Sequence, residues 1–249
     1  MIDHSRFAEE VRLRYLMLLQ ALTGILATAL DSQDPDRGIV RTAMIIDANR
    51  ATAQFVERFS TDARSIVDTM IKMAIHDSGM VKSPKLTDYH MNELRENAEA
   101  VLDELVTNIQ SVCDRNVATV VNELRQVKLQ ASLLQSTGMS KFGALMKSRM
   151  GRVGELKFTT PDVLGRKWRS SDYVVSMISK NLVQLYVESF LYCAAVDGDT
   201  KAKVVYSDAG HANNGMVFNI TGSEGASFDN IRDTIWHPNS TAGVERVHA

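Results

Sequence analysis

At 249 residues, with 45% hydrophobic and 23% charged residues, the chain has the composition of a soluble protein with room for one large core or two modest ones. Only 4 prolines and 6% aromatic residues, among abundant Ala, Leu, Val and 12 Met, favour long helices over a β-rich fold. The formal charge is −2, yet eight basic residues against two acidic ones between Lys141 and Arg169 make a local +6 and leave −8 elsewhere; two distant cysteines, Cys113 and Cys193, exclude a disulfide framework or zinc knuckle and fit a reducing compartment.

The first predicted helix starts near Asp3 or Ser5, either of which can cap it, and places Phe7, Val11, Tyr15, Leu18, Leu22, Ile25 and Leu26 on one stripe. Its apolar run at 15–30 is shorter than the roughly 20 residues that span a bilayer. Glu9 and Glu10 before it are wrong for a signal peptide. A buried helix and no stable membrane span are expected. Asp34-Pro35 then reads as a cap followed by Pro at a first helical position.

A second helical region covers 36–76, with Ile39, Met44, Ile45, Phe55, Val56, Phe59, Ile66, Met70 and Met73 as packing residues. Ser60-Thr61-Asp62 is the expected point of a kink, because those side chains compete for backbone hydrogen bonds. The loop at 77–85 contains Gly79 and Pro84. From 87 to 135 there is neither Gly nor Pro, and apolar residues recur at alternating steps of three and four from Met91 to Leu134. Such a helix is about 70 Å long, and it is expected to fold back on the first helices rather than stand as a free coiled coil.

Glycines 138, 143, 151, 154 and 165 fall in the basic stretch, so 138–170 reads as a flexible connector. Lys147, Arg149, Arg152, Arg166, Lys167, Trp168 and Arg169 are its candidate contacts to an acidic partner or to DNA phosphates. A solvated linker is the plainer alternative. A further amphipathic helix follows at 171–195, then two short strands at 203–207 and 216–220 with Asn214-Gly215 as the turn, a short helix near 229–234 and the closing IWHPNSTAGV. The expected fold is mainly α with a small C-terminal α+β module: a long-helix bundle or stalk at 1–137, the connector, and the module at 171–249.

No phosphate loop, nucleophile elbow, His-Glu-x-x-His or paired-Cys motif is present. Asp208, His211 and His237, with Asp229 or Asp233 near, have the donor chemistry of a zinc or non-haem iron site. Their weak spacing equally suits turn residues bonding local backbone. The metal-dependent hydrolase that such a site would serve stays open as one alternative.

In order, the helix, the Asp-Gly turn, VVYSDAGHANNGMVFNI and IWHPNSTAGV resemble the C-terminal module of phage Mu protein F-like head morphogenesis proteins, the minor capsid proteins of tailed phages. Asp208, His211, Asn214, Gly215, Phe218, His237, Pro238 and Asn239 carry the resemblance, over about residues 171–247. The family often continues His-Pro-Asn with Cys-Arg-Cys where this chain has Ser240-Thr241-Ala242, and its helix often carries Arg-Thr-Glu where this chain has Ser179-Lys180-Asn181. The resemblance implies a non-enzymatic virion protein without a cofactor, present in the head and, during assembly, in the host cytoplasm. Its expected partners are the portal or major capsid protein, packaged DNA through its backbone, and a second copy through the long helices. The structural motif is then Asp208, His211, Asn214, Gly215, His237, Pro238 and Asn239, with His-Pro-Asn closing the fold. A DNA-ejection protein, suggested by the long helices and the apolar run at 15–30, is the other alternative.

Overall fold

The computed structural model describes residues 4–32, 38–150, 152, 156–162, 164–206, 208, 210–222, 226–237 and 240–247. The chain is mainly helical, with short strands late in the sequence. Three long helices come first: α1 (His4–Asp31), α2 (Gly38–Asp77) and α3 (Asp88–Ser136). They are followed by α4 (Lys141–Arg149), the strands β1 (Thr159–Pro161) and β2 (Lys167–Arg169), and α5 (Ser170–Asp197). The last elements are β3 (Lys201–Val205), β4 (Val217–Asn219), α6 (Phe228–Ile235) and β5 (Gly243–Arg246).

Each long helix forms because its apolar side chains fall on one stripe. On α1, Val11, Tyr15, Leu18, Leu22 and Leu26 are buried, at steps of three and four. On α3, Leu94, Ala98, Leu102, Leu105, Ile109, Val112, Asn116, Val120, Leu124 and Val127 continue one seam over most of its 49 residues. α2 runs unbroken through Ser60-Thr61-Asp62, where a kink was expected; Phe59 and Ala63 are both buried there, so packing outweighs the local competition of the polar side chains. Ile39, expected to pack, is 79% exposed. The expected helix starts at Asp3 and at Asp34-Pro35 lie outside the described residues. α2 stops at Gly79, whose φ of 76° lets the Met80 amide reach back to the Ile75 carbonyl at 3.0 Å while the Met80 side chain is buried.

Two compact units make up the chain, and their boundaries fall within helices rather than at the basic segment. One comprises Glu10–Phe59 and Val106–Val174; the other comprises Met1–Glu9, Ser60–Leu105 and Val175–Ala249. In the first, Tyr15 and Phe55 meet edge to face at 5.5 Å, and a buried polar chain crosses the apolar core. Asn116 Nδ2 donates to the Tyr15 hydroxyl, Ser170 Oγ donates to Asn116 Oδ1 at 3.3 Å, and the Thr160 and Ser170 hydroxyls are 3.0 Å apart. All four residues are fully buried, so this chain of bonds ties α1, α3, β1 and the start of α5 together.

In the second unit, β3 is the centre of a three-stranded sheet of order β4-β3-β5, antiparallel to both neighbours. The sheet covers Val183, Val187, Phe190 and Leu191 of α5 with Ala202, Val204, Phe218 and Val244. Trp236, fully buried, is held against Phe218 and Phe228, each 5.6 Å away between ring centres.

Candidate functional site

Residues 206–216 connect β3 to β4 and contain most of the predicted motif. Asp208 folds the segment on itself: its Oδ1 accepts the Gly210 amide at 2.9 Å, and its carbonyl accepts the His211 amide at 3.1 Å. The His211 ring lies flat on Tyr206, with centres 3.6 Å apart and planes 18° apart. His211 Nδ1 accepts the Asn213 amide at 3.2 Å, so the neutral ring carries its proton on Nε2. Asn214 Oδ1 accepts the Tyr206 amide at 2.9 Å, which caps the end of β3. Gly215, at φ 80°, turns the chain so that its amide returns to the Val204 carbonyl at 2.8 Å. Asp208, His211 and Asn214 therefore each commit one side-chain acceptor to nearby backbone.

His237 follows the buried Trp236, has an exposed side chain, and accepts the Ser240 amide through its carbonyl at 2.9 Å. Pro238 and Asn239 lie outside the described residues. Among the described residues no group of three or more His, Cys, Asp or Glu side chains is placed to hold a metal ion, so Asp208, His211 and His237 are not brought together as a ligand set. Asp233 instead faces Lys180 Nζ at 3.0 Å and Gln184 Nε2 at 3.1 Å.

Two residues outside the predicted set hold the module closed. Trp236 fills its core. Arg246, on β5, donates Nη1 to the Ser78 carbonyl at 2.8 Å, Nε to Asp199 and Nη2 to Asp197. Lys85 Nζ meets the same Asp197 carboxylate at 2.8 Å. The Lys85 and Arg246 hydrogen bonds hold the Asp197 carboxyl at about 2, well below the usual carboxylate range. Trp236 could be singled out from its aromatic bulk next to His-Pro; Arg246 sits in an ordinary alternating strand, and no local pattern marks it.

The basic segment is structured where it is described, rather than a featureless connector. Ser140 Oγ caps α4 by accepting the Gly143 amide at 3.2 Å. β1 and β2 pair as an antiparallel hairpin in the register Thr160 to Trp168. Asp162 organises its turn: Oδ1 accepts the Leu164 and Arg166 amides at 2.9 Å each, and Oδ2 accepts Arg166 Nε at 2.7 Å and Trp168 Nε1 at 3.1 Å. Desolvation raises the Asp162 pKa, but these four donors outweigh it and hold the group at about 2.

The seven predicted contact residues divide in two. Arg149 is bonded to the Leu30 carbonyl at 3.2 Å and to Asp31; Arg152 to Glu123 at 2.8 Å and Gln130 at 2.9 Å; Arg166 to Asp162. Lys147, Lys167 and Arg169 are exposed and make no ion pair among the described residues, and Trp168 keeps 37% of its surface open. Comparison with protein-family models, with curated proteins and with solved structures finds no match to this chain.

Proposed function

We propose that this chain is a structural protein of a tailed-phage head, a minor capsid or head morphogenesis protein bound to portal or capsid and in contact with packaged DNA, and not an enzyme. The observation that carries the reading is the order of the second unit: a helix, a strand, a polar Asp- and His-bearing turn, a second strand, a short helix ending on Trp236-His237, and a last strand. Apart from the short helix, that order matches the one by which the sequence resembles the phage Mu protein F-like module. The chemistry supports the same direction, because the motif's polar side chains serve turns. The exposed Lys147, Lys167 and Arg169 are suited to an acidic capsid surface or to phosphates. Quantitative mass spectrometry of purified phage particles tests it. A fixed copy number, small against the major capsid protein, is expected. Absence from the particles overturns the reading.

α1 bears on the second reading, DNA ejection: its unbroken apolar run at 15–30 is short, but Arg6–Asp31 as a whole has the length and mean hydropathy of a membrane-crossing helix. Its buried stripe of Val11, Tyr15, Leu18, Leu22 and Leu26 equally describes a core helix. Binding of the full-length protein to liposomes, with release of their contents, would favour ejection over a head-resident role.

A further inference from the structure

The first unit exposes an apolar and basic surface. Phe142, Met146 and Met150 follow at steps of four on α4 and its C-cap, hence on one face, and are 75%, 40% and 76% exposed. Three large apolar side chains in line on so short a helix form a patch rather than the scattered exposure common on soluble proteins. Lys147 flanks them. With Lys157, Lys167 and Arg169 it is exposed and makes no ion pair among the described residues.

The second unit carries a surface of the opposite kind. On the first part of α3, Tyr89, Glu93, Glu96, Ala100 and Asp103 recur at steps of four and three, on one face. Tyr89 is 66% exposed and bonded to Glu93. Glu93, Glu96 and Asp103 are exposed and make no ion pair among the described residues. The stripe therefore offers three carboxylates alongside an aromatic ring and an alanine, matching ammonium and guanidinium groups alongside Phe and Met.

We propose that the chain associates head to tail with a second copy of itself, the α4 face and hairpin of one molecule docking on the Tyr89–Asp103 stripe of the next. DNA is the poorer occupant of this face, because a phosphate backbone has no counterpart for Phe142, Met146 and Met150; the DNA contact of the proposed function then falls to the basic face left free at one end of the assembly. Because the two surfaces differ, the contact is heterologous: it leaves one free surface at each end, and repeats until a ring closes or a filament grows. One short helix with a hairpin covers an area at the small end of specific interfaces, so association is weak, concentration-dependent and sensitive to salt.

Sedimentation velocity of the full-length protein, over a concentration series at low and high salt, tests this. The mass is expected to rise past the dimer with concentration and to fall with salt. A basic-face variant (Lys147→Gln, Lys167→Gln, Arg169→Gln, with Phe142→Ser) and an acidic-face variant (Glu93→Gln, Glu96→Gln, Asp103→Asn) should each weaken association by about tenfold or more. Circular dichroism of both should match the parent. Mixed together, the two variants should form a one-to-one dimer that grows no further, since each supplies the face the other lacks. A parent protein that stays monomeric, one that stops at a symmetric dimer, or folded variants that associate like the parent would overturn the proposal. So would a monomer that binds duplex DNA and loses that binding in the basic-face variant; the segment would then be a nucleic-acid surface.

Discussion

Single side chains decide whether the second unit closes. Trp236 is fully buried against Phe218 and Phe228, and its Nε1 has no hydrogen-bond partner among the described residues. Its contribution is thus volume and apolar area. Trp236→Ala should destabilise that unit by about 3–5 kcal/mol through the cavity it leaves. Trp236→Phe removes a polar atom that gains nothing there and leaves a smaller cavity than Ala does, so it should cost clearly less. Urea denaturation of the two variants checks the ranking, and equal losses would refute it. Arg246 works by charge instead. Asp197 has a folded-state pKa of about 2, below its unfolded value near 3.9, so its contribution is complete above about pH 4. It is lost as pH falls towards 2. Arg246→Met should reduce that acid-sensitive component without abolishing it, because Lys85 still bonds the Asp197 carboxylate, leaving a flatter profile of melting temperature between pH 4 and 2 and a lower melting temperature at pH 7.

At the scale of elements, the β1–β2 hairpin depends on one carboxylate more than on its strands, each three residues long. Asp162 gathers two backbone amides, the Arg166 guanidinium and the Trp168 indole. Being depressed to about 2, it should hold the turn above about pH 4 and release it as pH falls through about 2. The Trp168 indole N–H resonance should therefore titrate well below pH 3.9, and Asp162→Ala should place it at its acid-limit position already at pH 7. A resonance indifferent to both would show that the strands suffice. The hairpin marks the limit of what the sequence makes legible. The long helices are readable because each repeats one pattern many times, and Asn214-Gly215 is readable because its turn chemistry is local. The +6 of 141–169 was countable. That Arg149, Arg152 and Arg166 are committed to Asp31, Glu123 and Asp162 was not, because two of those carboxylates lie far away in sequence. For the same reason Arg246, bonded across 168 residues to Ser78, leaves no trace in local pattern.

At the scale of the whole chain, two compact units are threaded by shared helices. α2 passes from one to the other at Ser60 and α3 at Val106, each within an uninterrupted helix. Melting either helix in one unit therefore strips its hydrogen bonds back to the boundary and frays the part held in the other. The chain should unfold in one transition despite having two cores. The cysteines report on this, one from each unit. Burial, followed by the neighbouring Asp114 charge, pushes the Cys113 thiol up to about 12, and burial likewise raises Cys193. Neither is a ready thiolate in the folded protein, so alkylation at neutral pH requires opening. Labelling with iodoacetamide in a urea series, read by peptide mass spectrometry, should give the two thiols the same midpoint. Cys193 labelling at clearly lower urea than Cys113 would mean that the C-terminal unit opens alone and that helix continuity does not couple the cores. The variants Cys113→Ala and Cys193→Ala, each followed by the remaining thiol, separate that outcome from any effect of the first alkylation on the second.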